Sequence, residues 1–305
     1  MKGKIFLGWV LLLVGSLLLA TAALAFFWLP GQVQRVPLNV DTTTRLAGTA
    51  DKLNPKTGKV ETGLPIKVTS ITKVDPKASD DKVAVWVNTT CVNIDQDNPA
   101  DCLKGTDARV VNNSIDTFAT DRGTGEAVNG DKYLPPTAEA KTGLVNKWPF
   151  DAQKKDYTYW DGLLGKEVPA TFEGTQKLDG LEVYEYHVSV PATAAEIADG
   201  IQGTYQTDKV MLVEPKTGSI INQTQHEVRT LEDGTKVLDL KIGFIDDQVA
   251  AGISDGKENV KRLNLMLNQV GPMTAIGGAV LFLAGLALVM SAARQYRKRQ
   301  EAEQA

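Results

Sequence analysis

An uncharged run of 21 residues, Met273–Ala293, is the feature that most constrains the fold of this chain. At a rise of about 1.5 Å per residue, a helix of this length crosses the roughly 30 Å hydrocarbon core of a bilayer. Basic residues follow the run at once, and such residues are retained on the cytoplasmic side of a membrane. The pattern predicts a transmembrane helix over residues 270–293 and a cytoplasmic basic tail over residues 294–305, with the preceding chain outside the cell.

A second uncharged run near the N-terminus predicts a second membrane anchor. It follows Lys2 and Lys4 and is apolar for about 25 residues. The rival interpretation is a signal peptide, because Ala25 ends a sequence that a signal peptidase accepts. The run is longer than the core of a signal peptide, and aromatic residues continue beyond Ala25 as in an interfacial belt. We therefore favour an uncleaved helix over residues 5–29, with residues 1–4 in the cytoplasm.

Each apolar run contains two glycines seven positions apart. They are Gly8 and Gly15 in the first run, and Gly278 and Gly285 in the second. Small residues on one face let membrane helices approach closely, and an antiparallel pair of helices would match Gly8 with Gly285. The pattern fits packing of the two helices on each other, and it also fits the ordinary composition of membrane helices.

Residues 30–269, between the two runs, predict an extracytoplasmic β-rich domain that is long enough to bury a proper core. This block contains 27 basic and 35 acidic residues, so its net charge is negative. An acidic surface argues against nucleic acid as a partner and against electrostatic attraction to anionic lipid head groups.

The chain has two cysteines, Cys91 and Cys102, and both fall in the external block. Outside the cell, an even pair of cysteines is most simply a disulfide. In the chain-entropy model, closing a loop of this size stabilises the fold by about 2–3 kcal/mol. A metal site would need more ligands, and neither histidine lies within eighty residues of the pair.

The external block consists largely of short β-type segments that are separated by turn residues. Apolar and polar residues alternate in several of them, which predicts antiparallel sheet with one buried face. The predicted fold class is therefore α+β: a mainly antiparallel β ectodomain between an N-terminal and a C-terminal transmembrane helix. The predicted strands are Val36–Thr44, Leu64–Val74, Lys82–Cys91, Arg109–Ala119, Ala170–Leu178, Leu181–Val190, Lys209–Glu214, Ser219–Arg229 and Thr235–Ile245.

Two segments of the block are predicted to be helical. Pro191–Gln202 is rich in alanine and is expected to form a helical insertion in the sheet. Asp246–Gln269 is polar with helical character and is expected to lead into the second anchor, which would begin at Gly271-Pro272.

In three turn phrases, a polar or proline-containing turn ends in glycine and a strand follows. They are Asn54–Gly58, Asp121–Gly125 and Glu214–Gly218. Glycine at the end of such a turn supplies a positive φ angle, which other residues adopt at a cost. Because the strands around the three phrases differ in sequence, we interpret them as shared turn chemistry and not as an internal repeat.

The sequence contains no constellation that points to catalysis. His187 and His226 lie in separate predicted strands, without the spacing of a metal-binding pair. No nucleophile elbow, P-loop or glycine-rich phosphate turn occurs. We therefore expect a protein that is not an enzyme and that has no cofactor and no metal.

The densest group of unusual residues is the aromatic segment, Trp148–Asp161. Exposed aromatic residues mark surfaces that contact ligands, lipids or other proteins. The alternative interpretation is a long loop that its rings fasten to the core. The candidate binding residues are Trp148, Phe150, Tyr157, Tyr159 and Trp160.

Several phrases between the two anchors resemble those of one membrane-protein family. They are DRxTG at Asp121–Gly125, WPF at Trp148–Phe150, a YxxWD-like phrase at Tyr157–Asp161 and GxxxxxGLxVY at Gly174–Tyr184. Over essentially the whole chain, the arrangement resembles the actinobacterial membrane proteins now labelled PorA-family porins, which were once a domain of unknown function. The resemblance implies a porin-type role and carries over no catalytic or binding residue.

The anchors and the resemblance together predict an integral protein of the plasma membrane of a Gram-positive-type actinobacterium, with both termini in the cytoplasm. Our leading expectation is a non-enzymatic ectodomain that binds an envelope lipid or a membrane-protein partner. The alternatives are a porin or channel-type component and a structural subunit of a membrane complex.

Overall fold

The computed structural model describes residues 2–304, apart from the side chains of Lys2 and Glu303. The described chain forms two compact units, one made of residues 2–34 together with residues 259–304, the other of Arg35–Glu258. The described helices are α1 (Lys2–Phe27), the short α2 (Pro30–Val33), α3 (Asp246–Asn264), a π-helical stretch (Leu265–Val270) and α4 (Gly271–Gln304).

Both expected anchors are helical, and both are long and apolar enough to cross a membrane. The apolar stretches lie within Gly3–Phe27 and Asp246–Ala302. In the most apolar part of the first stretch only 17% of the residues are buried, and in that of the second only 11%. Because a core helix of a globular protein buries most of its apolar side chains, this exposure is typical of helices that face lipid.

The C-terminal helical region differs from its predicted bounds at two places. Helix α4 continues through the basic tail, because Arg, Lys, Gln, Glu and Ala all favour helix. Pro272 does not break the helical region, since it occupies the first turn of α4, where proline is tolerated. The helix expected over Asp246–Gln269 is α3 followed by the π-helical stretch.

Helices α1 and α4 pack against each other through the four glycines noted in the sequence. A Cβ atom added to Gly285 would lie 2.7 Å from the carbonyl oxygen of Gly8, and one added to Gly278 would lie 3.0 Å from that of Gly15. These distances leave no room for a side chain. The structure therefore favours helix–helix packing over mere membrane-helix composition as the reason for the pattern.

Two neighbouring glycines of α4 provide a direct test of this packing. A Cβ at Gly278 would lie 2.9 Å from the backbone nitrogen of Leu19, whereas a Cβ at Gly277 meets nothing closer than 4.0 Å. We expect Gly278→Val to destabilise the helix pair by about 1–3 kcal/mol through overpacking, and Gly277→Val to have little effect. Thermal unfolding of the full chain in detergent measures both. Equal losses would show that these glycines do not form a specific contact.

The external unit is a mainly antiparallel sheet, as predicted. Its strands lie in the order β4-β3-β2-β1-β10-β9-β8-β7-β6-β5 and form a half-barrel in which every neighbouring pair is antiparallel. The described strands are β1 (Asp41–Asn54), β2 (Lys59–Val74), β3 (Val83–Ile94), β4 (Val110–Asp121), β5 (Tyr157–Asp161), β6 (Lys166–Leu178), β7 (Leu181–Ala198), β8 (Ile201–Glu214), β9 (Ser219–Leu231) and β10 (Lys236–Phe244).

The prediction of a helix over Pro191–Gln202 is wrong. Strand β7 runs through most of this segment, and β8 begins at Ile201 after a tight turn. The residues of the segment pair across the ladder with β8, from Thr193 opposite Tyr205 to Glu196 opposite Gln202, and Ile197 is only 2% exposed. Cross-strand pairing and burial outweigh the helix propensity of the alanines, because propensity is only a weak local preference.

Several strand bounds differ from the prediction, most clearly that of β8, which begins at Ile201 and not at Lys209, and one strand is missing from the prediction. The first strand begins at Asp41 and not at Val36, whose side chain packs into a cluster with Trp86 and Phe118. Strand β5 was not predicted at all, because its five residues lie within the aromatic segment and show no simple alternation.

The edges of the half-barrel, β4 and β5, are joined through the chain between them. Thr120 of β4 bridges to Ala127, Glu126 bridges to Leu144, and Leu144 bridges to Tyr159 of β5. Each of these bridges is a single residue pair and not a ladder. Backbone pairing through the segment from residue 126 to residue 144 therefore links the two edges only at these isolated positions.

One face of the sheet carries three of the buried apolar clusters, and we call it the inner face. The strand registers place the members of the clusters on this common side. Burial of such side chains is the main favourable contribution to folding. The clusters are centred on Leu46, Ile66, Val68 and Leu240; on Val74, Trp86 and Phe118; and on Tyr186, Val188, Val190, Met211 and Val213.

The two cysteines form the predicted disulfide on the opposite face. Cys91 of β3 is bonded to Cys102, with their Cα atoms 5.3 Å apart. The bonded loop brings Asp101 to Lys67 at 2.8 Å and to Arg45 at 3.0 Å. Hydrogen bonding to Lys67, and then to Arg45, lowers the pKa of Asp101 below its usual value, because both cations favour the carboxylate form.

Candidate functional site

The structure brings three of the five candidate aromatic residues, Trp148, Tyr157 and Tyr159, into the largest buried cluster, while Phe150 packs against a second cluster. Trp148 is fully buried, and Tyr159 and Trp160 are 9% and 7% exposed. Phe150 and Tyr157 are half-buried and pack against neighbouring apolar side chains. The rings thus fasten this segment to the core, and a binding role for them stays a prediction.

Backbone hydrogen bonds hold the first part of the aromatic segment between two turns. The Trp148 N–H donates to the carbonyl of Gly218 at 2.9 Å, and the Ala152 N–H donates to that of Pro215 at 2.8 Å. The Phe150 N–H donates to the carbonyl of Gly123 at 3.1 Å. Residues 148–152 are therefore clamped by the two turn phrases Asp121–Gly125 and Glu214–Gly218.

The turn phrases share a local structure that explains their recurrence. In Glu214–Gly218 the carboxylate of Glu214, only 1% exposed, accepts hydrogen bonds from the N–H groups of Lys216 and Thr217 at 2.7 and 2.9 Å. The Gly218 N–H donates back to the carbonyl of Glu214 at 2.9 Å. The side chains of Asn54 and Asp121 accept in the same way, which confirms shared turn chemistry.

Trp148 is the centre of a group of stacked rings on the inner face. Its ring lies 4.9 Å from that of Tyr186 and 5.6 Å from that of Tyr159, measured between centroids. The indole N–H groups of Trp148 and Trp160 are buried and have no hydrogen-bond partner among the described residues. A buried donor without a partner costs about 1–3 kcal/mol, so these two groups are the unsatisfied polar sites of the segment.

Two lysines that precede the aromatic segment place their amines near its rings. The Lys147 amine lies 3.8 Å from the centroid of Phe150, and burial lowers the pKa of Lys147 to about 7. The Lys141 side chain, 3% exposed, contacts Asp116 of β4 at 3.3 Å and lies 5.1 Å from the ring of Trp160 in β5. Lys141 thereby ties the two edges of the half-barrel together.

A second feature of the inner face is a row of polar side chains, which we call the inner polar row. The register of Leu240, Glu227, Thr207 and Val190 across four strands puts Glu227 and Thr207 on the apolar side of the sheet. Thr207 is fully buried and Glu227 is 7% exposed. The row consists of Asp161, Tyr205, Thr207, Gln225, Glu227 and Arg229.

The inner polar row is internally paired. Glu227 accepts hydrogen bonds from Arg229 Nε at 2.7 Å and from Gln225 Nε2 at 3.0 Å. The Tyr205 hydroxyl donates to Asp161 at 3.0 Å. Burial, and then the charge of Asp161, raises the pKa of Tyr205 above its usual value, so this hydroxyl keeps its proton.

The inner polar row was not singled out from the sequence. In β9 the polar residues Gln223, Gln225, Glu227 and Arg229 occupy alternate positions, and this spacing is visible in the sequence. Alternation alone does not show which face of a strand is buried. Only the pairing of β9 with β10 and β8 places these residues on the enclosed side.

The two histidines lie apart from both features, each in its own ion pair. His187 Nε2 is 2.9 Å from Asp208, and His226 Nε2 is 2.8 Å from Asp239. Within residues 2–304, no group of three metal-ligating side chains comes together. These contacts favour a structural role for both histidines.

A family model described as Porin PorA matches residues 7–287 of the chain. The chain belongs to the Porin PorA family. This confirms the resemblance found in the sequence phrases. A relative named Porin PorA, from Corynebacterium amycolatum, is 25% identical over an alignment that covers 61% of this chain and 57% of the relative. The chain thus matches somewhat more than half the length of that relative.

The clamp around Trp148 in this family member can be tested at two equivalent glycines. Gly218 and Gly58 both have positive φ, but a Cβ at Gly218 would collide with the carbonyl of Trp148, whereas one at Gly58 meets nothing within 4 Å. Alanine at either position would have to adopt a left-handed backbone conformation, which destabilises the fold by about 1–2 kcal/mol. We expect Gly218→Ala to cost about 1–3 kcal/mol more than Gly58→Ala in denaturant unfolding. Equal costs would mean that the clamp contributes nothing to stability.

Proposed function

We propose that the protein is a non-enzymatic, channel-type component of the cell envelope, in which the two helices anchor the chain and the half-barrel offers solutes a polar path. The observation that carries the proposal is the inner polar row, which places paired charges on the enclosed face of the sheet. Polar groups on an enclosed face are typical of conduits, whereas a sheet that only packs a core is apolar there. The name of the family and of the relative supports a porin-type role.

The helices are poor candidates for lining an aqueous path by themselves. Between residues 5 and 27, and between residues 271 and 293, the sequence contains no charged side chain. The hydroxyls of Ser16 and Thr21 donate to carbonyls of their own helix. Any polar path through this chain is therefore provided by the external unit, with the helices serving as anchors.

We place the anchors in the plasma membrane, with both termini in the cytoplasm and the half-barrel outside. The lysines before the first run and the arginines after the second support this orientation, because positive residues are retained on the inner side. The disulfide supports an oxidising location for the half-barrel.

The channel proposal predicts opposite changes of ion selectivity from two variants of the inner polar row. Glu227→Gln leaves Arg229 as the unbalanced charge and shifts selectivity towards anions, while Arg229→Gln shifts it towards cations. The measurement is the reversal potential of the full-length protein in planar bilayers under a salt gradient. The matched control is Glu232→Gln, which removes an exposed carboxylate next to β9.

Three outcomes would contradict the channel proposal. The first is that the wild-type protein conducts no ions. The second is that the two inner-row variants shift the reversal potential in the same direction, and the third is that Glu232→Gln changes it as much as Glu227→Gln does.

A second candidate function is the binding of an envelope lipid by the aromatic segment. The observation in its favour is the buried indole N–H of Trp148, which has no hydrogen-bond partner among the described residues; a ligand oxygen would have to enter the buried cluster to accept from it. The comparison residue is Trp86, which is also buried but donates to Thr120 Oγ1 at 2.9 Å. The two tryptophans differ in whether the protein itself satisfies the indole.

Native mass spectrometry of the full chain, gently extracted from its own membrane, tests this second candidate. We expect a lipid-sized adduct on the wild type and on Trp86→Phe, and its loss in Trp148→Phe, which keeps a ring but removes the donor. An adduct that persists in Trp148→Phe, or none on the wild type, would exclude this site. A bare chain bound to another polypeptide would instead indicate a structural subunit, and a mass beginning at Phe26 would show a cleaved signal.

A further inference from the structure

Part of the outer edge of strand β4 is uncovered. Four consecutive residues, Asn112–Ile115, are exposed, although they belong to a regular ladder with β3. Ile115 is 75% exposed, which is unusual for a large apolar side chain in a strand. Among the described residues, the segment that links β4 to β5 forms backbone hydrogen bonds with β4 only at its far end, from Ala119 to Asp121, and its Lys141 contacts the Asp116 side chain.

The backbone of β4 presents unpaired hydrogen-bonding groups along this edge. The Ala119 carbonyl and the Asp121 N–H bond to residues on the side away from β3, at 2.8 Å each. Because backbone groups alternate in an antiparallel ladder, those of Asn113, Ile115 and Thr117 point to the same side. In the part of the chain that the structure describes, no other backbone group bonds to them.

The exposed part of this edge has little of the usual protection against strand pairing. Between Asn112 and Ile115 there is no proline, no charged residue and no bulge; the bulge of β4 lies just before this stretch, and Asp116 follows it. By contrast, the part of β6 that β5 does not cover contains a bulge between Phe172 and Gly174 and the charged residue Lys177. Natural sheets block exposed edges with such features, and an edge without them is able to pair with another strand.

We propose that β4 is a docking edge for a second copy of this chain, and that two β4 strands pair antiparallel about a two-fold axis. The same strand on both sides is self-complementary, so each exposed donor meets an acceptor and the assembly closes as a dimer. Centring the pair on Ser114 sets Asn112 opposite Asp116 and so avoids two opposed carboxylates. The proposal does not rest on the channel function, since it concerns backbone pairing at the edge of the sheet.

Cysteine crosslinking of the full chain in mild detergent tests the register. In this dimer Ser114 faces its own copy at a non-hydrogen-bonded position, where Cα atoms are about 4.5 Å apart and a disulfide is able to form. Under copper–phenanthroline oxidation, Ser114→Cys is expected to give a covalent dimer as the major species. Gln206→Cys, exposed on the central strand β8, is expected to give little. The native cysteines do not interfere because they are bonded to each other.

A second pair of variants tests the dimer without a new cysteine. Ile115→Lys places a charge at the edge and is expected to weaken the dimer roughly tenfold or more, measured by analytical ultracentrifugation. Val60→Lys, at an exposed β2 position 44% accessible, is the control and is expected to leave it unchanged. A wild-type protein that is monomeric at micromolar concentration, or equal crosslinking at positions 114 and 206, would overturn the proposal.

Discussion

The pairing of the first strand with the last is the interaction on which the external unit depends. Strand β1 lies antiparallel to β10, with Leu46 opposite Phe244 and Lys52 opposite Leu238. Without this ladder, the strands before and after it would be two separate meanders, each with one more exposed edge. Because side chains alternate with a period of two, a slip of one residue here would turn Leu46 and Ala50 away from the core. Pairing β1 with β10 closes a long loop of chain, so this contact is entropically costly to form.

The inner face that this pairing creates combines two kinds of surface. At one end, Trp148 and Tyr186 pack with aliphatic side chains into a dense cluster, and the clamp between two turns holds the backbone there. Beside it, Glu227 and Arg229 lie on the same enclosed face and compensate each other's charge. The Arg229 side chain is partly exposed, and an ion pair in such a position contributes little to stability.

Much of the fold could be predicted from local pattern, and the errors have a common cause. Alternation identified most strands, but Pro191–Gln202 has the composition of a helix and became a strand because β8 pairs with it. The aromatic segment was recognised by its density of rings, yet its sequence was equally compatible with an exposed groove and a core anchor. Burial of Trp148 depends on carbonyl partners at Gly218 and Pro215, some seventy positions away. No local pattern contains that information.

The sequence by itself determined the two apolar helices, the antiparallel class of the sheet, the disulfide partners and the form of the glycine-ended turns. Each of these follows from composition or spacing within a few residues, where hydrophobicity and backbone sterics act directly. The tertiary structure alone decided which face of β9 is enclosed, where Lys141 joins β4 to β5, and how much of β4 stays uncovered. These features depend on which distant strands become neighbours, and that choice is made by the sum of many weak cross-strand contacts.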